Sequence, residues 1–277
     1  MSGIWRRCFR NKMFVFSFIV LVPVILIALV GPLLAPHNPT QIRPELALRP
    51  PMPGYWLGTD EFGRDILSRL IYGIRPSMIV ALGSTALALL IGTAMGVAAG
   101  YFRGWTEQIV LRVIDIVLCF PPILLALMVV GFWGGGVRNL IIIIGIVYAP
   151  HFGRIAHSAT LQVRSQEFVE SELSLGATHW RVLTRSILPN ILSPLVIQVS
   201  LTVAAAILLE SGLSFLGLGV VPPEPSWGQM IGDARGYIHL HPLYVLWPSL
   251  CLGVTILAIN LMGDSLRDIL DPKLKGR

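Results

Sequence analysis

The amino-acid sequence predicts an all-α fold: a polytopic membrane helical bundle with six transmembrane helices. Three observations carry that expectation. Hydrophobic residues make up 54% of the 277 and charged residues only 13%, and the mean hydropathy is +0.73. A soluble domain with a polar surface cannot sustain such a composition. Second, residues 13–42, 76–102, 116–137, 186–209 and 236–263 carry no Asp, Glu, Lys or Arg, and each holds the roughly 20 apolar residues that a spanning helix needs. Third, the basic residues divide by side. With Met1 inside, six spans leave fourteen of the 21 Lys and Arg on the inner side and seven on the outer, the bias of the positive-inside rule.

In chain order, residues 1–12 read as a cytoplasmic N-terminus and 13–35 as a first transmembrane helix. That stretch exceeds the roughly 7–15 apolar residues of a cleaved signal peptide, so it reads as retained. Residues 36–77 form an external connector whose first part, with Pro36, Pro39, Pro44, Pro50, Pro51 and Pro53, cannot stay helical. Its last part reads as an interfacial helix capped by Thr59 or Asp60. Ile66, Leu67, Leu70 and Ile71 lie on one face of it and Arg64, Asp65 and Arg69 on the other. Such a helix is either an outer platform or a brace for the bundle. Residues 78–266 hold five further spans and a cytoplasmic loop, 158–191; residues 267–277 are a cytoplasmic tail.

Within the spans, Gly92, Gly96 and Gly100 recur at i, i+4 and i+8, a flat stripe that lets another helix approach. Pro121 and Pro122 interrupt the third span and predict a kink whose freed carbonyls face protein or water. The span after Arg138 has too few uncharged residues and must include Arg154 near its polar end, where the side chain can snorkel. Asp115, Asp264 and Asn260 are expected to pair with Arg112, Arg267 or backbone. Glu210, with Ser211 and Ser214 beside it, either lines an outer vestibule for a substrate or hydrogen-bonds a neighbouring helix.

Residues 167–190, EFVESELSLGATHWRVLTRSILPN, are a polar helix–turn–helix pattern between long apolar segments. Phe168, Val169, Leu173 and Leu175 recur at near-helical spacing. Gly176 is placed to take the left-handed conformation of a helix C-terminus. Thr178 can cap a second short helix carrying Trp180, Leu183, Ile187 and Leu188, which Pro189 closes.

Glu170, Gly176 and Ile187-Leu188-Pro189 resemble the ATPase-docking loop of permease subunits of ATP-binding-cassette importers, although Ser171 and Glu172 stand where that family usually has alanines. Leu57-Gly58-Thr59-Asp60 through Gly63-Arg64-Asp65 and Ser68-Arg69 to Gly73 and Arg75 resembles the dipeptide, oligopeptide and nickel branch. So do residues 211–219, 226–237 and 263–272. The chain is thus similar to the second, C-type permease of that branch, within the binding-protein-dependent transport inner-membrane components. The resemblance implies a type I importer permease (MetI-like) architecture in a bacterial inner membrane. It also implies a second homologous permease, two cytoplasmic ABC ATPases and an external solute-binding protein as partners. Phe168, Glu170, Leu175, Gly176, Leu188 and Pro189 would couple to the ATPases, while Glu210, Ser211, Ser214, Pro121 and Pro122 would border the translocation path. The implied substrates are di- and oligopeptides first, nickel or a metal chelate second, and solutes such as glutathione third.

What the sequence lacks sharpens this reading. The three lysines, Lys12, Lys273 and Lys275, follow Asn11, Pro272 and Leu274, so there is no Gly-Lys-Ser/Thr of a P-loop. ATP and Mg are therefore expected on partner subunits, with no cofactor bound by this chain. No histidine precedes a glutamate, and Ser214 lacks the second glycine of a nucleophile elbow, which disfavours a hydrolase. A secondary transporter would need ionisable coupling sites at mid-membrane, and the span centres carry almost none. His239 and His241 are two apart on an outer loop and are weak candidates for a metal; the alternative is a solvated loop. Cys8, Cys119 and Cys251 form no disulfide framework. The net charge of +6 follows from topology, with no nucleic-acid role needed.

Overall fold

The computed structural model describes residues 9–270; the predicted inner charges and Cys8 of residues 1–8, and the end of the tail from Asp271, lie outside the described residues. Ten α-helices are named here. Helix α1 spans Lys12–Leu34 and is capped by Asn11, whose side chain accepts from Met13 N and Phe14 N. Helices α2, Ile66–Phe102, α3, Gly104–Leu118, α4, Pro122–Trp133, and α5, Val137–Arg164, follow. Two short helices, α6, Glu167–Ser174, and α7, His179–Val182, lead into α8, Leu188–Phe215. Helices α9, Trp227–Ala234, and α10, Pro242–Leu270, complete the chain.

Five helical stretches among the described residues are long and apolar enough to cross a membrane, and α3 with α4 forms a sixth if the pair is one span. That pair is bent by 88°, a full break where the sequence suggested a kink. Its cause is local. Pro121 and Pro122 supply no N–H, and the Pro121 carbonyl instead starts α4 by accepting from Leu124 N and Leu125 N.

Helices α2 and α5 make the most extensive contact in the bundle, and the glycine stripe explains why. A Cβ at Gly92 or Gly96 would run into the carbonyl oxygens of Ala149 and Gly153, and one at Gly100 would lie 2.9 Å from His157 O. Backbones meet there directly. A core around Ile66, Ile144, Ile207, Leu213, Trp227 and Tyr244 fills one end of the bundle. A second, around Tyr101, Phe152, Val169, Val182 and Ile191, fills the end that carries α6 and α7.

The connector corrects the predicted interfacial helix. Asp65, not Thr59 or Asp60, caps α2, accepting from Ser68 N at 3.0 Å, and the helix then runs 37 residues, straight through Pro76. Asp60 instead closes a turn by accepting from Phe62 N and Arg64 N. Thr59 Oγ1 donates to Leu46 O, deep in the connector. The polar face of the helix is not wet: Arg69 is 1% exposed, 3.4 Å from Asp60 and 3.8 Å from Asp233. Residues 36–65 fold over it, so the connector and the first turns of α2 form one packed unit with α9 and α10.

Candidate functional site

The segment Glu167–Val182 is a helix pair held at one end of the bundle by a few inward-facing side chains. Helix α6 ends in a Schellman motif: Ala177 N donates to Glu172 O and Gly176 N to Leu173 O, both at 3.0 Å. Gly176 makes this possible with φ +82, a conformation that costs an L-residue about 1–2 kcal/mol. Thr178 caps α7 through Arg181 N at 3.4 Å. Val169 and Val182 are fully buried against the ends of α2, α5 and α8. Tyr101 Oη lies 2.8 Å from His179 Nδ1, and Ser186 Oγ donates to Glu172 at 2.7 Å. Glu172, out of place in the motif, therefore faces inward and leaves the outer surface free of its charge.

The opposite surface is apolar and uncovered. Leu175 is 88% exposed and Trp180 75%, with Phe168 and Glu170 also exposed beside them. The apolar periodicity of α6 is thus split between two faces, Val169 inward and Phe168 outward. Trp180, which the sequence pattern sets on the apolar face of the second helix, joins this exposed surface one residue past the capped start of α7. Leu188 and Pro189 lie elsewhere. Leu188 is partly buried against the inner core, and Pro189 does not end the second helix. A π-helical turn, Leu183–Ile187, widens the ladder just before it, which accommodates the missing N–H and the ring and lets the chain run on into α8.

Glu210 does not line an open vestibule. It is fully buried, accepting from Ser214 Oγ at 2.7 Å and from Ser211 Oγ at 3.4 Å. Ser214 Oγ in turn accepts from Val220 N, and Gly219 O accepts from Gly136 N at the start of α5. The carboxylate thus fastens the turn after α8. Pro121 and Pro122 are exposed at the α3–α4 break. Asp115 pairs with Arg154 at 2.7 Å and not with Arg112, so Arg154 crosses to α3 and does not snorkel freely. His239 is exposed while His241 is buried and donates to Arg49 O at 3.0 Å. The two do not converge, and no group of three potential metal ligands occurs among the described residues.

Residues 92–276 match the family described as binding-protein-dependent transport system inner membrane component, and residues 1–51 match the N-terminal TM domain of oligopeptide transport permease C. The chain belongs to this family. It is the transmembrane component of an ABC importer and not its ATPase subunit. The dipeptide transport system permease protein DppC of Alkalihalophilus pseudofirmus is 39% identical over 98% of this chain and 90% of its own length. The glutathione transport system permease protein GsiD of Pectobacterium atrosepticum is 39% identical over the same shares. The di/tripeptide permease of Pseudomonas aeruginosa is 38% identical over 98% and 91%. A chain of the inward-facing MetNI methionine ABC transporter superposes with a TM-score of 0.63 at 20% identity, covering 74% of this permease and 98% of that chain. The permease is therefore an inner-membrane protein of C-type permease lineage and MetI-like fold, whose transport system includes ATPase and binding-protein components.

Proposed function

We propose that this permease, with a second homologous permease, forms the path by which di- and oligopeptides delivered by an external binding protein enter the cell. The observation that carries the coupling half of this reading is the uncovered apolar surface of α6 and α7 on a rigidly held frame. A surface bearing Leu175, Trp180 and Phe168 at the aqueous end of a membrane protein wants a partner. In the reading we favour, that partner is one of the two cytoplasmic ABC ATPases. Phe168, Leu175 and Trp180 fill its groove, Glu170 meets a basic group, and Gly176 sets the angle between the helices. Leu188 and Pro189 act one step back, carrying the movement into α8. ATP binding then draws the ATPases together and shifts the helix pair as a lever, and the spans exchange outward for inward access. Both termini are cytoplasmic in this arrangement.

The substrate half rests on the relatives, whose names specify dipeptides, di/tripeptides and glutathione. All three are peptides with free charged ends. Nickel has less support, because His239 and His241 point to different surroundings. Uptake of a labelled dipeptide and of radioactive nickel into membrane vesicles, with and without this permease and with its ATPases present, separates the two. Loss of ATP-dependent dipeptide uptake alone is the expected result; loss of nickel uptake alone would overturn the peptide assignment.

A further inference from the structure

Two helices that serve the membrane carry charges that are neither buried in the bundle nor hidden in a loop. Arg154 of α5 and Asp115 of α3 form an ion pair at 2.7 Å whose side chains remain 58% and 48% exposed. From Arg138 to Arg154 is sixteen residues, about 24 Å along an α-helix, less than the roughly 30 Å of hydrocarbon. With Arg138 at one boundary, Arg154 lies within the membrane thickness, in the half of α5 that leads to the coupling helices. Lipid tails would oppose an exposed pair of charges at that depth by several kcal/mol. The surface shared by α3 and α5 is therefore turned away from lipid, toward the path or the second permease. One turn further along α5 the pattern repeats, with His157 Nε2 2.8 Å from Glu107 of α3.

We infer that the Arg154–Asp115 pair is a substrate subsite in the part of the translocation path nearest the coupling helices, where it takes the charged ends of a zwitterionic peptide. This rests on the peptide reading proposed above. The pair has unused capacity. A guanidinium has five N–H groups, and Arg154 donates one hydrogen bond, to Asp115 Oδ1. The second oxygen of Asp115 is free to receive an ammonium, and the remaining fork of Arg154 to receive a carboxylate. Exchange explains why such a site suits a path. In the empty state the two residues satisfy each other, and when a peptide arrives each trades its neighbour for an opposite charge on the substrate. No bare charge is left at either stage, so occupancy is close to neutral in free energy, and the substrate can both enter and leave. Glu210 cannot act this way, because its carboxylate is enclosed by Ser211 and Ser214 of its own helix together with Ser77 of α2 and Ser226.

The test uses the complete importer in proteoliposomes with saturating binding protein, and the dipeptide Ala-Phe. Arg154→Gln and Asp115→Asn are expected to lower the maximal uptake rate roughly tenfold, while ATP hydrolysis stimulated by the loaded binding protein stays within about twofold of wild type. The charge-exchanged variant, Arg154→Asp with Asp115→Arg, keeps the pair and so the α3–α5 contact, and is expected to remain slow. Saturation-transfer NMR on the solubilised, nucleotide-free importer supplies a direct contact signal. It is expected for Ala-Phe, weak for N-acetyl-Ala-Phe-amide, and lost in the single variants. Normal uptake by the charge-exchanged variant, or equal transfer to the blocked peptide, would make the pair a structural brace and overturn the subsite. A wild-type importer that moves no dipeptide at all would overturn the peptide reading itself, and the subsite with it.

Discussion

The two ends of this bundle handle polarity in opposite ways. At the coupling end, Val169 and Val182 are buried while Leu175 and Trp180 stand in water. At the connector end, Thr59, Asp60, Asp65 and Arg69 are all but inaccessible, and Tyr244 Oη reaches across to Glu61 at 2.6 Å. A charged network folded in on itself is withdrawn from the surface, whereas an apolar surface left in water invites a partner. The contrast separates a region that closes the subunit from one that opens it to assembly.

Breaking the connector should produce the largest loss of stability. Arg69→Met removes the buried guanidinium that lies between Asp60 and Asp233 and leaves Asp60 with Arg64 alone, a change expected to cost about 1–3 kcal/mol. Thermal unfolding of the purified importer should show it as a clear drop in Tm. At the coupling end the expected signature is the reverse. Leu175→Ser with Trp180→Ser removes only exposed side chains and should leave Tm unchanged. It should weaken retention of the ATPase subunits by about 2–4 kcal/mol, the range of interface hot spots, read by copurification at graded dilution. A Tm loss there, or none at Arg69, would erase the contrast.

Much of this division was visible in the sequence, and the boundary of what was visible is physical. Spans announce themselves because charge is excluded from lipid, so charge-free runs mark α1, α2, α8 and α10, whereas α5 carries Arg138 and Arg154 and has no such run, and the run at 116–137 is split between α3 and α4. Gly176 and Thr178 were legible because a helix C-terminus and a helix start are local events, decided by one or two residues. Asp65 was missed as the cap of α2 because Thr59, Asp60 and Asp65 are all good caps in isolation. The choice was made by tertiary packing of the connector, where Asp60 is spent on a turn. Continuity through Pro76 and past Pro189 was equally hidden, since propensity argues for a break at each. The first lies inside the 37-residue α2, and a π-helical turn accommodates the second. The partners of Asp115 and the enclosure of Glu210 depend on residues far away in sequence, Arg154 for one and the turn before Val220 for the other.

Smaller effects sharpen the same comparison. Glu172→Gln weakens the contact with Ser186 that seats α6, and should cost about 1 kcal/mol. It should lower uptake without releasing the ATPases. Asp233, outside the spans, has its carboxyl raised above the usual range by burial first and by Glu61 next. A raised folded-state pKa favours the folded protein below the unfolded value, and that contribution is lost as pH rises through the folded one. Asp233→Asn should therefore flatten a modest decline in Tm as pH rises above the usual carboxylate value of about 4, while Leu175 and Trp180 variants leave that slope untouched.

If the helix pair transmits ATPase movement, it does so through the fixed turn at Gly176. The direct measurement is the number of ATP molecules hydrolysed per dipeptide transported by importer carrying Gly176→Val. A β-branched residue is strongly disfavoured at the φ of +82 held by Gly176. Hydrolysis is expected to persist while uptake per ATP falls roughly tenfold or more. Coupled uptake at the wild-type ratio would contradict that role of the turn.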